Sequence, residues 1–179
     1  MARRKILDRR GVDACMDRLA RDILLNCGDL ERLAIIGIRR RGVPIADRVA
    51  AKIKEIDGRS PKTGALDITL YRDDLTLVAA SGQPVVSKTE VPFPVQGLRV
   101  ILCDDVLFTG RTVRAAMDAL LALGRPSKIE LAVLVDRGFR ELPIEANYIA
   151  DKIATTSEEV VKVHLAEVDG EDYIEIVTK

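Results

Sequence analysis

The chain has 179 residues, 47% of them apolar, enough for one domain with a core of its own. Its 28 basic residues balance 28 acidic ones, so no global field would draw it to nucleic acid or an anionic membrane, and any such contact needs a local patch. Cys15, Cys27 and Cys103 show no CxxC or Cys/His clustering and read as buried free thiols of a reducing cytosol; with no apolar run of about 18 residues and no signal-peptide pattern after Met1, the expectation is a soluble cytoplasmic protein.

In chain order, Val12, Cys15, Met16, Leu19, Ile23 and Leu24 recur at steps of three and four. They predict a helix between Val12 and Cys27 that buries one face, capped by Asp8 or Asp13. The continuous apolar run Leu33 to Ile38 has the length of a strand covered on both faces. It stops at Arg39, Arg40, Arg41 and Gly42, and Pro44 suits the first turn of a helix striped by Val43, Ala46, Val49, Ala50 and Ile53. Further strands are predicted over Leu66 to Tyr71 and Arg99 to Cys103, the latter followed by a helix from about Thr112 to Leu123 that Gly124 and Pro126 stop. Ile129 to Val135 is the next buried strand. The stretch 72–96 has no sustained helical period, and loops of that length are usually functional or mobile. Val160 to Leu165 and Tyr173 to Val177 alternate around Asp169 and Gly170, which predicts a hairpin, about 160–177, extending or covering the main sheet. The expected class is α/β, a mostly parallel sheet flanked by helices, and nothing divides 1–179 into more than one unit.

The chemistry concentrates in Asp104, Asp105, Val106, Leu107, Phe108, Thr109, Gly110, Arg111 and Thr112. Two carboxylates at the carboxyl end of a buried strand, then a loop that opens a helix, occupy the place where open α/β sheets bind ligands. Free N–H groups and the dipole at a helix N-terminus favour a phosphate, Gly110 lets it approach closely, and the Thr109 and Thr112 hydroxyls add donors. The carboxylates suit ribose hydroxyls, directly or through a divalent metal that prefers oxygen ligands. An Asp–Asp pair alone is more often solvated, and a lone Thr112 a helix cap. Their coincidence with the glycine after an apolar strand marks a site.

The segment from Val100 to Thr112 resembles the motif with which type I phosphoribosyltransferases bind 5-phosphoribosyl-1-pyrophosphate (PRPP). More narrowly, Asp67 to Leu75, Met117 to Leu120, Leu123 to Pro126, Leu131 to Gly138 and Arg140 to Ile144 resemble the pyrimidine-operon attenuators that are also uracil phosphoribosyltransferases. This resemblance covers nearly the whole chain. It implies a type I phosphoribosyltransferase-like fold with a flexible hood loop and a C-terminal hairpin. The implied reaction joins uracil to PRPP, giving UMP and pyrophosphate, with Mg²⁺ as cofactor. It assigns the ribose hydroxyls, and a metal held directly or through ribose or water, to Asp104 and Asp105. Thr109 to Thr112 would take the 5-phosphate, Arg41 and Gly42 the pyrophosphate, and Asp136, Arg137 and Gly138 the base, largely through backbone groups. Arg72, in the Tyr71 to Asp74 opening of the hood loop, would add charge stabilisation on closure. Its other reading is a surface arginine paired with Asp73 or Asp74.

The same resemblance implies UMP-dependent binding of leader mRNA on a basic face, where Arg18, Arg21, Arg39 and Arg140 stand here, and assembly as dimers or larger homo-oligomers. Asp17, Asn26, Glu145 and Asp151 depart from that face, standing where RNA-binding members carry hydroxyl or basic residues, and each added carboxylate would repel phosphate. Three functions stay open: an attenuator with uracil phosphoribosyltransferase activity, a salvage enzyme with lost or altered RNA regulation, and a phosphoribosyltransferase for another base. No DNA or membrane partner is expected, and His164 reads as structural.

Overall fold

The structure, a computed structural model, describes residues 2–73 and 88–178. The chain runs β1 (Arg3–Leu7), α1 (Arg9–Cys27), β2 (Leu33–Ile38), α2 (Gly42–Asp57), β3 (Lys62–Leu66), β4 (Arg99–Leu107), α3 (Arg111–Leu121), β5 (Lys128–Asp136), β6 (Tyr148–Lys152), β7 (Glu159–His164), a one-turn helix α4 (Ala166–Asp169) and β8 (Tyr173–Thr178). Strands β3-β2-β4-β5-β6, in that order, form an all-parallel sheet. Its centre is apolar on both faces, as a sheet covered by helices on two sides requires. Leu33, Ile35, Ile101, Cys103, Ala132 and Leu134 pack with α1 and α2, while Ala34, Ile36, Val100, Leu102, Leu131 and Val133 pack with α3.

Of the two candidate caps for the first helix, Asp8 is the one used: its carboxylate accepts from the Gly11 N–H at 2.9 Å. The strand predicted over Leu66 to Tyr71 is displaced, because β3 ends at Leu66 and a 3₁₀ turn occupies Thr69–Tyr71. Asp67 explains the break. Its Oδ1 accepts from the Thr69 N–H at 2.9 Å and the Thr69 hydroxyl at 2.6 Å, a local turn that competes with the sheet ladder. Strand β4 is longer than predicted, running to Leu107, and carries Asp104 and Asp105 within its carboxyl end.

Strands β7 and β8 pair antiparallel as expected, but α4 joins them in place of a tight turn, and they do not extend the parallel sheet. With β1 they form a separate sheet of order β1-β8-β7. Val161, Val163, Leu165, Ile174 and Ile176 carry it onto the core beside α1 and α2. Residues 74–87 of the expected hood loop, Asp74 among them, lie outside the described residues. The end of that stretch is anchored: Glu90 exchanges backbone hydrogen bonds with Ala65 at 2.7 and 2.8 Å, and Val95 is buried. Cys15, Cys27 and Cys103 are free, Cys27 only partly buried. No helix among the described residues is long and apolar enough to cross a membrane.

Candidate active site

Parallel register brings the carboxyl ends of β2, β4 and β5 side by side, with Gly37 opposite Cys103 and Leu107 opposite Asp136. The loops that follow those ends carry three of the groups singled out in the sequence. Close packing draws the first two together, because a Cβ on Gly42 would lie 2.2 Å from the Cys103 carbonyl oxygen and one on Gly37 2.4 Å from the Gly42 oxygen. Only glycine lets α2 begin against the end of β4. Arg41 consequently feels the site's carboxylates. Its guanidinium is held more firmly protonated than usual, first by its hydrogen bond to Asp169 and further by the charge of Asp105.

Asp104 is buried, and its Oδ1 accepts from the Asp105 N–H at 2.9 Å; Asp105 Oδ1 accepts from the Val106 N–H at 2.8 Å. Burial, then the neighbouring Asp105 charge, push the Asp104 carboxyl well above the usual carboxylate range. Asp105 is the more exposed of the two and the one open to a ligand. No cluster of three or more His, Cys, Asp or Glu suited to a metal occurs among the described residues. The pair thus offers one or two hard oxygen ligands, which fits an ion arriving with a phosphate ligand rather than one caged by protein.

Helix α3 starts from Gly110, whose φ of 92° places it in the left-handed region. In front of that start lies a cavity of about 170 Å³ lined by Arg72, Asp73, Thr109, Arg111 and Thr112. Two hydroxyls and the first-turn N–H groups suit an anion there, with the cations Arg72 and Arg111 set against the carboxylate of Asp73 in the same lining. Arg111 lies between Asp73 and Glu141, 2.7 Å from each, while Arg114 donates to the Tyr71 carbonyl at 2.9 Å, so the opening of the long loop is tied to this helix. A larger groove of about 720 Å³ lies between α1, α2 and α4. In it Lys52 pairs with Asp13, and with Asp17 beside it, and Arg48 pairs with Asp172; Arg9, Arg10 and Glu55 also line it, and it contains neither a glycine nor a hydroxyl.

The third group closes the site from β5. Asp136 accepts from the Gly138 N–H at 2.9 Å and from Arg140 at 2.6 Å. Arg137 is buried beneath the rings of Phe108 and Phe139, 4.2 and 5.7 Å from their centroids, and donates to the Thr156 carbonyl. Its Nε is buried without a hydrogen-bond partner among the described residues, and burial lowers its basicity. Phe108 and Phe139 meet edge to face at 6.3 Å, both partly exposed. The turn after β5 and the loop between β4 and α3 therefore share one aromatic wall.

The basic residues of the expected RNA face do not gather so tightly. Arg18 donates to the Ala150 carbonyl, Arg39 to the Lys88 carbonyl at 2.8 Å, and Arg21 is exposed on α1. Arg140 points inward, donating to Asp136 and to the carbonyls of Ile144, Phe108 and Gly138. Asp17 is 2.8 Å from Lys52, which offsets its charge, whereas Glu145 is exposed.

Two residues beside the site escaped the sequence reading. Phe139 carried a signal, an aromatic directly after the strand-ending Asp136 to Gly138, but Asp169 carried none, since Asp before Gly is ordinary turn chemistry. His164 lies in the small sheet, stacked on Tyr173, 3.3 Å from Glu175 and 4.0 Å from Asp169.

The phosphoribosyl transferase domain family matches residues 4–167. The bifunctional protein PyrR of Pelotomaculum thermopropionicum is 54% identical over 179 residues, covering 99% of this chain and 98% of that protein. The bifunctional protein PyrR of Deinococcus deserti is 56% identical, covering 96% and 92%. Among solved structures, a hypoxanthine phosphoribosyltransferase from Trypanosoma cruzi superposes with a TM-score of 0.73 at 16% identity, over 98% of this chain and 94% of that one. At that identity the likeness concerns the fold.

Proposed function

Because this chain belongs to the phosphoribosyl transferase family, and within it to the bifunctional PyrR proteins, we propose that it joins uracil to PRPP, releasing pyrophosphate and forming UMP, and regulates pyrimidine operon expression. The observation that carries the enzymatic half is the convergence of Arg41, Asp105 and the α3 start at the carboxyl ends of adjacent parallel strands. The cavity before α3 takes the 5-phosphate. Asp104 and Asp105 receive the ribose hydroxyls, and Arg41 with the Gly42 N–H receives the pyrophosphate, whose charge grows as its bond to the ribose breaks. Arg72 supplies a second cation at the mouth. The base lies by Asp136 to Gly138 against Phe108 and Phe139, with hydrogen bonds from the backbone of that turn.

Asp104 and Asp105 would hold Mg²⁺, directly or through the ribose, and the ion would neutralise charge on the departing pyrophosphate. The protein acts in the cytoplasm as a homo-oligomer. Its second function is UMP-dependent binding of leader mRNA, a reading supported by Lys52, which offsets the Asp17 charge on the α1 face. The enzymatic reading is tested by incubating the protein with Mg²⁺, PRPP and each of uracil, orotate and hypoxanthine. UMP formation from uracil alone is expected, falling by about 10²-fold in Asp105→Asn. Absence of turnover with uracil sinks it.

A further inference from the structure

The guanidinium of Arg41 is already held from one side. Its Nε donates to Oδ2 of Asp169 at 3.2 Å and its Nη2 to Oδ1 at 2.7 Å. This bidentate pairing occupies the Nε edge of the fork and leaves the Nη1 and remaining Nη2 hydrogens for a second oxyanion. Asp169 is fixed in turn, since Oδ2 also accepts from the Leu165 N–H at 3.0 Å and the residue closes the one-turn helix between β7 and β8. The side chains are 33% and 19% exposed, so the pair lies near the surface, and it is its bidentate geometry that sets it apart from an ordinary surface bridge.

We propose that Asp169 is a positioning residue for pyrophosphate: it clamps one edge of Arg41 so that the free edge faces the diphosphate of PRPP. The small C-terminal sheet thereby contributes to a site otherwise built on the parallel sheet. An Arg41 without this clamp would have to give up side-chain freedom each time PRPP binds, a cost that the bridge removes in advance. The proposal rests on the assignment of Arg41 to the pyrophosphate.

A double-mutant cycle on Asp169→Ala and Arg41→Ala tests it, read by calorimetric binding of PRPP with Mg²⁺ and by KM for PRPP and for uracil. Asp169→Ala is expected to weaken PRPP by about tenfold, the scale of a charge-assisted hydrogen bond, and to leave the KM for uracil unchanged. Combined with Arg41→Ala it should add nothing further. Asp169→Asn, which retains an acceptor for Leu165, should fall between and covers the case in which the alanine variant misfolds. Additive losses would show that Asp169 acts elsewhere, and tighter PRPP binding without it would show that it competes with the ligand; either overturns the proposal. Wild-type protein that binds no PRPP defeats the functional reading itself.

Discussion

Asp104, in the proposed PRPP site, carries a charge placed at the expense of stability. Its carboxyl is buried beside a second carboxylate and pushed towards its acid form, an arrangement that folding alone would not favour. Asp104→Asn keeps the shape and removes the charge. It should raise stability by about 1 kcal/mol, seen as a melting temperature higher by roughly 2–4 °C, while uracil turnover falls; a lower melting temperature would contradict this. Arg140 is a second case, matched in sequence to an RNA-binding surface and bonded to Asp136 and three carbonyls, so that it braces the turn after β5. From the sequence, its charge was legible and its direction was not, because those carbonyls belong to residues of two different loops.

At the scale of elements, the two ends of the parallel sheet do different work. The carboxyl ends hold the candidate site, while at the other end Arg99 on β4 pairs with the buried Glu130 on β5 and reaches Tyr148 of β6 at 2.8 Å, lacing three strands together. Burial acts to raise the Glu130 carboxyl, but Arg99 and Lys128 outweigh it and hold it below the usual carboxylate range. Such a group stabilises the fold above its unfolded pKa of about 4.3, and that contribution is lost as pH falls through the lower folded value. Arg99→Met should therefore cost about 3 kcal/mol at pH 7. In urea unfolding, the difference from wild type should shrink below about pH 4; a pH-independent difference would rule out the charge pair as its cause. Periodicity revealed β2, β4, β5 and the helices, whose faces repeat, but misplaced β3, because the hydrogen bonds of Asp67 end that strand against an apolar pattern that continues to Leu70.

For the whole molecule, regulation rests on a candidate RNA face that mixes the exposed Arg21 with Glu145 and with a bridged Asp17. UMP should strengthen binding to a pyrimidine leader hairpin in a salt-sensitive manner, and Arg21→Ala should weaken it and lower the salt slope by about 1; equal affinity for unrelated RNA would refute the reading. The amino-acid sequence by itself determined the α/β class and the buried strands β2, β4 and β5, and marked Asp104 to Thr112 as the candidate site, because hydrophobic period, glycine placement and strand-end carboxylates are local features of the chain. Only tertiary structure decided that β7 and β8 join β1 in a second sheet, that Phe139 meets Phe108, and that Asp169 grips Arg41. Those contacts join residues far apart in the chain, and short-range patterns carry no information about which distant partners packing will bring together.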